Sequence, residues 1–251
     1  MRTSYITFLL IFILFAKTIH AQLLVGAVVG TARSKSFGQY AKEMNTYAGT
    51  TKKLNNFNFA YGHTFGVELP RFVLPVGFGF RFQKLTSHAK YQNETAGSYH
   101  FTLTQKQYLV PIMVRHMKEK GSNYIIYYLQ FPLGITKTNL AQTVTTVNNS
   151  VYTRNFSATQ MNFGIQGEIA FITKSGFGVS SRIGYLGCLL PLQEFKFDLF
   201  DRSFYSTPSA VSLDDYYLNY NGSGKLKKVK ADNRNLTVEI GLQYFFMRLL
   251  E

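Results

Sequence analysis

Apolar and polar residues alternate with period two along most of this chain. In residues 57–69 every odd position is apolar or aromatic apart from His63, and the even positions are small or polar. Successive side chains of a strand point to opposite faces, so this pattern predicts a β-strand with two unlike faces. Residues 76–83 repeat it, with Val76, Phe78, Phe80 and Phe82 opposed to Gly77, Gly79, Arg81 and Gln83. The same alternation places Tyr108, Val110, Ile112 and Val114 on one face of a fourth strand, and Ile125 to Ile135 on one face of a fifth. A sixth carries Met161, Phe163, Ile165, Ile169 and Phe171, and a seventh Phe177, Val179, Ile183, Tyr185 and Leu189. The last is as regular, with Leu236, Val238, Ile240, Leu242, Tyr244 and Phe246 opposed to Asn235, Thr237, Glu239, Gly241 and Gln243. With a weaker first member at 23–31, eight strands are predicted.

The connections between them alternate in length. Residues 70–75, 118–123 and 174–176 are tight turns, whereas 32–56, 88–100, 139–158 and 190–232 are long. Short turns at one end and long loops at the other are the arrangement of outer-membrane barrels, whose short turns face the periplasm. The fold class expected is therefore all-β: an eight-stranded antiparallel up-and-down transmembrane β-barrel with short periplasmic turns, long extracellular loops and both termini in the periplasm.

Periodicity alone leaves open whether the apolar face looks outward to lipid or inward to a cavity. The polar face decides it. Glu68, Arg81, Arg115, Glu168, Arg182 and Glu239 fall on that face, three of each sign among glycines and amides. A narrow eight-stranded lumen is filled by side chains, and there such charges can pair. Folding the sixth and seventh strands about Ser175 sets Glu168 opposite Arg182 as direct cross-strand neighbours. These six residues are read as structural lumen charge pairs rather than as an ion-selective lining. The outward face is rich in aromatic residues, and Tyr124, Tyr127, Tyr244, Phe245 and Phe246 are expected to crowd the periplasmic rim.

The segment 6–16 is almost wholly apolar, follows Arg2, and precedes the small residue Ala21. It is shorter than the roughly 20 residues a spanning helix requires, so 1–21 reads as a signal peptide and 22–251 as the barrel domain. No cysteine follows that cut, which excludes lipid acylation there, and the lone Cys188 excludes an intramolecular disulfide. With Arg2 and Lys17 removed, the net charge of +14 falls to +12. In an exported chain, that excess suits solvated loops and anionic lipopolysaccharide rather than nucleic acid.

The strand Gln107-Tyr-Leu-Val-Pro-Ile-Met-Val-Arg115 resembles the Tyr-Leu-x-Ile-Pro-Leu-Leu-type strand of the outer-membrane β-barrel family widespread in Bacteroidota. The likeness of architecture runs from 22 to 246, and the design resembles that of small eight-stranded barrels of PorT-like or OmpX-like type. The resemblance implies an eight-stranded barrel in the cell outer membrane with a porin-like, adhesive or secretion-associated role.

Candidate chemistry is sparse. His88 and His100 flank the second long loop, with Ser87, Ser98 and Glu94 nearby, the residue types of a lipid A-modifying enzyme. A general base needs hydrogen-bond reach to its nucleophile, which exposed loop residues do not establish. No compact metal motif such as His-Glu-x-x-His is present, nor a phosphate loop, dinucleotide fingerprint or internal repeat. No catalytic residue, cofactor or metal is assigned. His63 reads as an interfacial residue on the apolar face, and His116 as a residue of the periplasmic rim. In the fourth long loop, Asp214-Asp-Tyr-Tyr-Leu-Asn-Tyr220 precedes Asn221-Gly-Ser-Gly-Lys-Leu-Lys-Lys-Val-Lys230. This is a hairpin turned at Asn221-Gly222 whose aromatic and basic residues suit glycans or anionic polymers. The function expected is a closed, non-enzymatic scaffold whose loops contact lipopolysaccharide, a ligand or an envelope protein. The alternatives are a lipid A-modifying enzyme and an accessory of type IX secretion or gliding motility.

Overall fold

The computed structural model describes residues 21–73, 76–121, 123–197, 218–222 and 225–245. The proposed signal segment before Ala21, the Asp214–Asp215 end of the fourth loop and the chain from Phe246 lie outside them. Eight strands form the barrel: β1 (Gln22–Gly30), β2 (Ala60–Val73), β3 (Val76–Asn93), β4 (Gly97–Lys120), β5 (Asn123–Thr145), β6 (Val151–Thr173), β7 (Phe177–Pro191) and β8 (Asn233–Phe245). Each is antiparallel to its neighbours in sequence order, and β1 pairs with β8 from Gln22↔Phe245 to Gly30↔Thr237, which closes the cylinder. Closure gives every barrel strand two neighbours, so no strand is left at an edge of the cylinder. Among the described residues no helix is long and apolar enough to cross a membrane, which says nothing of crossing by strands.

At one end the connections are tight. β4 stops at Lys120 and β5 starts at Asn123; β6 and β7 are joined through residues 174–176. There Gly176 adopts φ +87°, a conformation that L side chains rarely take, and its N–H donates to Thr173 O at 2.9 Å. Between β2 and β3 the expected turn at 70–75 is partly strand, since Val73 pairs with Val76 after a register shift that follows Leu69.

The other end departs from the expectation of long loops. Residues 88–100 and 139–158 are mostly strand: β3 and β4 pair out to Asn93↔Gly97, and β5 and β6 to Thr145↔Val151. The reason is a reversal of phase within each strand. On β3 the outward Phe78 and Phe80 are exposed and apolar while Arg81 and Gln83 are buried; beyond Lys84 the outward positions become Thr86, His88, Lys90 and Gln92, and the buried ones Leu85, Ala89 and Tyr91. On β4 the outward run of Tyr108, Val110, Ile112 and Val114 gives way at Lys106 to Thr104, Thr102 and His100, with Leu103 and Phe101 inside. A strand whose apolar side changes face midway presents two short alternations out of step.

The first long connection contains a helix, α1 (Lys35–Met44). Ser34 caps it, accepting from Phe37 N at 3.0 Å, and Phe37, Tyr40, Ala41 and Met44 form its buried face. Those four residues recur at helical spacing behind a serine cap, a signal present in the sequence. The Asp232 carboxylate, just before β8, accepts from Ser36 N and Ser36 Oγ, both at 3.0 Å, and from Ser34 Oγ. A negative charge suits a helix N-terminus. This contact fastens the first connection to the last. In the fourth connection Asn219–Gly222 and Lys225–Lys228 form the expected hairpin, with Gly222↔Lys225 the innermost pair, one step beyond the Asn221-Gly222 turn inferred from sequence.

Candidate functional site

The lumen is layered along the barrel axis. Nearest the tight turns Met113, Tyr124, Ile126, Tyr128, Ile172 and Phe245 pack into an apolar floor. Tyr124 and Phe245, expected on the outward face at the periplasmic rim, face inward instead; alternation sets Tyr124 on the face opposite Tyr127, and Phe245 on the face opposite Tyr244. Tyr128 donates to Gln22 Oε1 at 3.1 Å.

Above the floor lies an ionic layer. Strand register aligns Glu168, Arg182 and Glu239 on β6, β7 and β8, so the arginine stands between two carboxylates. Its Nε donates to Glu168 at 3.0 Å and its Nη1 to Glu239 at 2.8 Å, while Nη2 bonds Glu168 and lies 3.6 Å from Glu68. Arg81 donates to Glu68, to Gln166 at 2.7 Å and to Gln130 at 2.8 Å. Gln130 donates in turn to Glu168 Oε2 at 2.6 Å, and Gln243 donates to Glu168 Oε1. One buried network thus joins six of the eight strands. Arg115 belongs elsewhere. It also turns inward but stands opposite Tyr128, one layer nearer the turns, with Nη2 3.7 Å from Met117 Sδ. An amide layer succeeds the ionic one, and in it Gln160 and the Asn233 backbone exchange hydrogen bonds of 2.8 and 2.9 Å.

The outer half of the lumen is apolar. Phe37 of α1 packs on Phe57 (centroids 4.4 Å apart) and edge-on to Phe101 (5.6 Å). Leu85, Leu103, Leu140 and Phe156 from the barrel wall close around them. From the fourth connection come Phe195, Leu218, Val229 and Ala231, tied together by Phe195 N→Val229 O at 2.9 Å and Val229 N→Leu218 O at 2.8 Å. The first and fourth connections therefore form a plug inside the cylinder, where solvated loops were expected. Burial pushes the Tyr40 hydroxyl above its usual range, and Gln142 donates to it at 3.4 Å.

At the outer face of the plug is a cleft of about 560 Å³, whose lining includes Tyr40, Glu43, Tyr47, Tyr91, Asn93 and Tyr99. Tyr47 is 57% exposed, and Tyr91 is held by Thr50 Oγ1 at 2.9 Å and Asn93 Nδ2 at 3.3 Å. Tyr40 and Tyr91, fixed at their hydroxyls, stand with Tyr47 and Tyr99 beside an amide and a carboxylate, a concave surface able to take a polar ligand with apolar faces. Sequence reading missed this cleft because its residues come from α1, the turn after it and the extended ends of β3 and β4.

The two histidines do come together, with Ser98 two residues before His100 on the same outward face of β4. His88 and His100 lie with centroids 5.6 Å apart on the outer surface, and His88 contacts Thr102 Oγ1 at 3.1 Å and Tyr61 Oη at 3.3 Å. Ser87 is buried on the opposite face and donates to Phe59 O, and Glu94 lies in the hairpin tip. Partial burial, then the nearby Lys90 and His88, hold the His100 imidazole below its usual pKa. Among the described residues no group of three or more His, Cys, Asp or Glu is placed to hold a metal. His63 is exposed on the apolar outer face near Phe82, and His116 lies outward beside Tyr127, towards the turn end.

The sequence matches no known protein-family model, and no curated protein matches it. Among solved structures, Ail, the attachment invasion locus protein of Yersinia pestis, aligns over 90% of this chain and 99% of its own at 9% identity and a TM-score of 0.41. Neisserial surface protein A (NspA) aligns over 89% of this chain and 97% of its own at 12% identity and a TM-score of 0.39. Likeness this distant adds nothing to the strand register from which the barrel is read.

Proposed function

We propose that this chain is an integral outer-membrane β-barrel, closed to conduction, that works at its outer mouth. There the folded loops offer a surface to lipopolysaccharide, a ligand or an envelope partner. The reversal of the apolar face halfway along the strands carries the reading. On the turn-side half the apolar residues face out all round the cylinder, and Ile240 and Leu242 are each 68% exposed. Soluble monomers rarely expose contiguous apolar patches beyond a few hundred Å². On β5 the outward apolar run from Ile125 to Ile135 spans, at about 3.3 Å per residue and a tilt of about 40°, a band of about 25 Å. That is the height of a lipid-facing belt.

Inside the belt the lumen holds side chains, and outside it a plug. Both argue against a pore. In planar bilayers the purified chain is expected to give no stepwise currents; a sustained open-channel conductance contradicts the closed reading. Extraction from cells should require detergent, and the band should shift on a gel after heating. A mature chain freely soluble in buffer contradicts the membrane reading itself.

A further inference from the structure

A row of lysines crosses the outer surface where the apolar belt ends. Lys84 on β3 is the register partner of Lys106 on β4, and Lys106 is the partner of Lys137 on β5. All three side chains point outward. Directly opposed residues on adjacent strands have Cβ atoms about 5 Å apart, and like charges there are destabilising. The row continues to His63, opposite Lys84, and to Thr159, opposite Lys137, so nothing in it is acidic. Among the described residues no carboxylate lies within ion-pair reach of the three ammonium groups. The next outward row towards the loops, Thr86, Thr104 and Asn139, is neutral. The next towards the turns is Phe82, Tyr108 and Ile135, with the Phe82 and Tyr108 rings 5.4 Å apart. Across these three rows the charge lies on one line, at the border between the apolar band and the polar outer surface; the next outward lysine on these strands, Lys90, stands three rows nearer the loops.

Three adjacent cations repel one another unless an anion lies between them. An anion that meets a protein surface at the edge of a lipid-facing belt is a lipid headgroup phosphate. Its acyl chains would lie along Phe82, Tyr108 and Ile135 while its oxygens accept from the ammonium groups. On the loop side of an outer-membrane barrel the phosphate-bearing lipid is lipopolysaccharide. We propose that Lys84, Lys106 and Lys137 form a binding site for the phosphorylated headgroup of lipid A. This rests on the outer-membrane reading and assigns one of its surface contacts to named residues.

The test uses the full mature chain, folded in detergent, and a K84Q/K106Q/K137Q variant. Lipid A, its enzymatically dephosphorylated form and inorganic phosphate are the probes, with retained lipid measured by native mass spectrometry. Each lysine near an anionic lipid surface contributes enough that losing three should weaken lipid A binding about tenfold to a hundredfold. A variant with arginine at all three positions should retain it. A K118Q/K174Q variant, changed at the turn end, should bind as the wild type does. Dephosphorylated lipid A should bind the wild type as weakly as lipid A binds the glutamine variant. Equal binding of lipid A by wild type and a heat-modifiable, folded glutamine variant overturns the site, as does equal binding of the dephosphorylated lipid. Displacement of lipid A by millimolar inorganic phosphate also overturns it, by showing a free-anion site. None of these results touches the membrane reading, which fails only if the chain needs no detergent.

Discussion

The turn-side and loop-side halves of this barrel are built on opposite plans within the same strands. In the turn-side half an ionic layer stands above an apolar floor inside, and the exterior is apolar. Near the loops the interior is aromatic and aliphatic, filled by α1 and the fourth connection, and the exterior carries threonines, lysines, histidines and amides. The first plan places hydrogen-bonded polar groups where lipid cannot reach. The second is that of a small water-soluble barrel, whose core is made by burying apolar side chains inward. The contrast teaches that the solvent outside each half, rather than the strand geometry, decides which face is apolar. Substitutions in each half can break or sharpen it.

The largest effect is expected at the ionic layer. Replacing Arg182 by methionine leaves Glu168 and Glu239 buried without their shared cation, and Glu68 without one of its two. Stability should fall by about 3–5 kcal/mol, read from urea unfolding of the barrel in lipid vesicles. An unchanged midpoint would mean that water reaches the layer and replaces the guanidinium.

In the loop-side half, Phe101→Ala removes a ring that contacts Phe37 and Tyr40 edge-on. A cost of about 3 kcal/mol is expected, as for other buried phenylalanine truncations. The two halves should differ in how the loss appears. The plug variant should show faster hydrogen exchange and protease cleavage in residues 32–57 while the barrel still migrates as folded. Loss of both halves together would show that plug and barrel form one cooperative unit.

Much of the turn-side half was legible in the sequence. The alternation there is continuous, and the positions of Glu168 and Arg182 emerge from counting back from a three-residue turn. The loop-side half is harder to see in the sequence because the phase reversal at Lys84, Lys106 and Lys137 interrupts the outward apolar signal. On the loop side of Lys106, Tyr99, Phe101 and Leu103 alternate on the other parity and count against the strand that they extend. The helix was hidden for a different reason. Phe37, Tyr40, Ala41 and Met44 make a stripe of about two turns, and only the lumen formed by other strands gives it something to bury against. The cleft was not legible at all, since its tyrosines meet only once the plug is seated. Tyr124 and Phe245 show that an aromatic residue near a turn can serve the floor as well as the rim.

The outward faces supply the third contrast. Ile240→Lys in the belt should cost about 2–4 kcal/mol in vesicle unfolding, whereas Gln92→Lys on the outward face of β3 beyond the lysine row should be nearly neutral. Equal effects would contradict two different surroundings. The smallest effect concerns the link between first and last connections. Asp232→Ala removes the acceptor for Ser36 N, Ser36 Oγ and Ser34 Oγ, and should cost about 1–2 kcal/mol, seen as increased proteolysis near α1 with the belt unaffected.

The chain contains no tryptophan, which makes a direct measurement available. Single-tryptophan variants Leu133→Trp in the belt and Thr143→Trp on the same outward face of β5, beyond Lys137, can be folded into vesicles containing brominated lipids. Strong quenching is expected for the tryptophan at 133 and little for the one at 143. Equal quenching at both positions, or none at either, would contradict the division of the barrel into a lipid-facing half and a water-facing half.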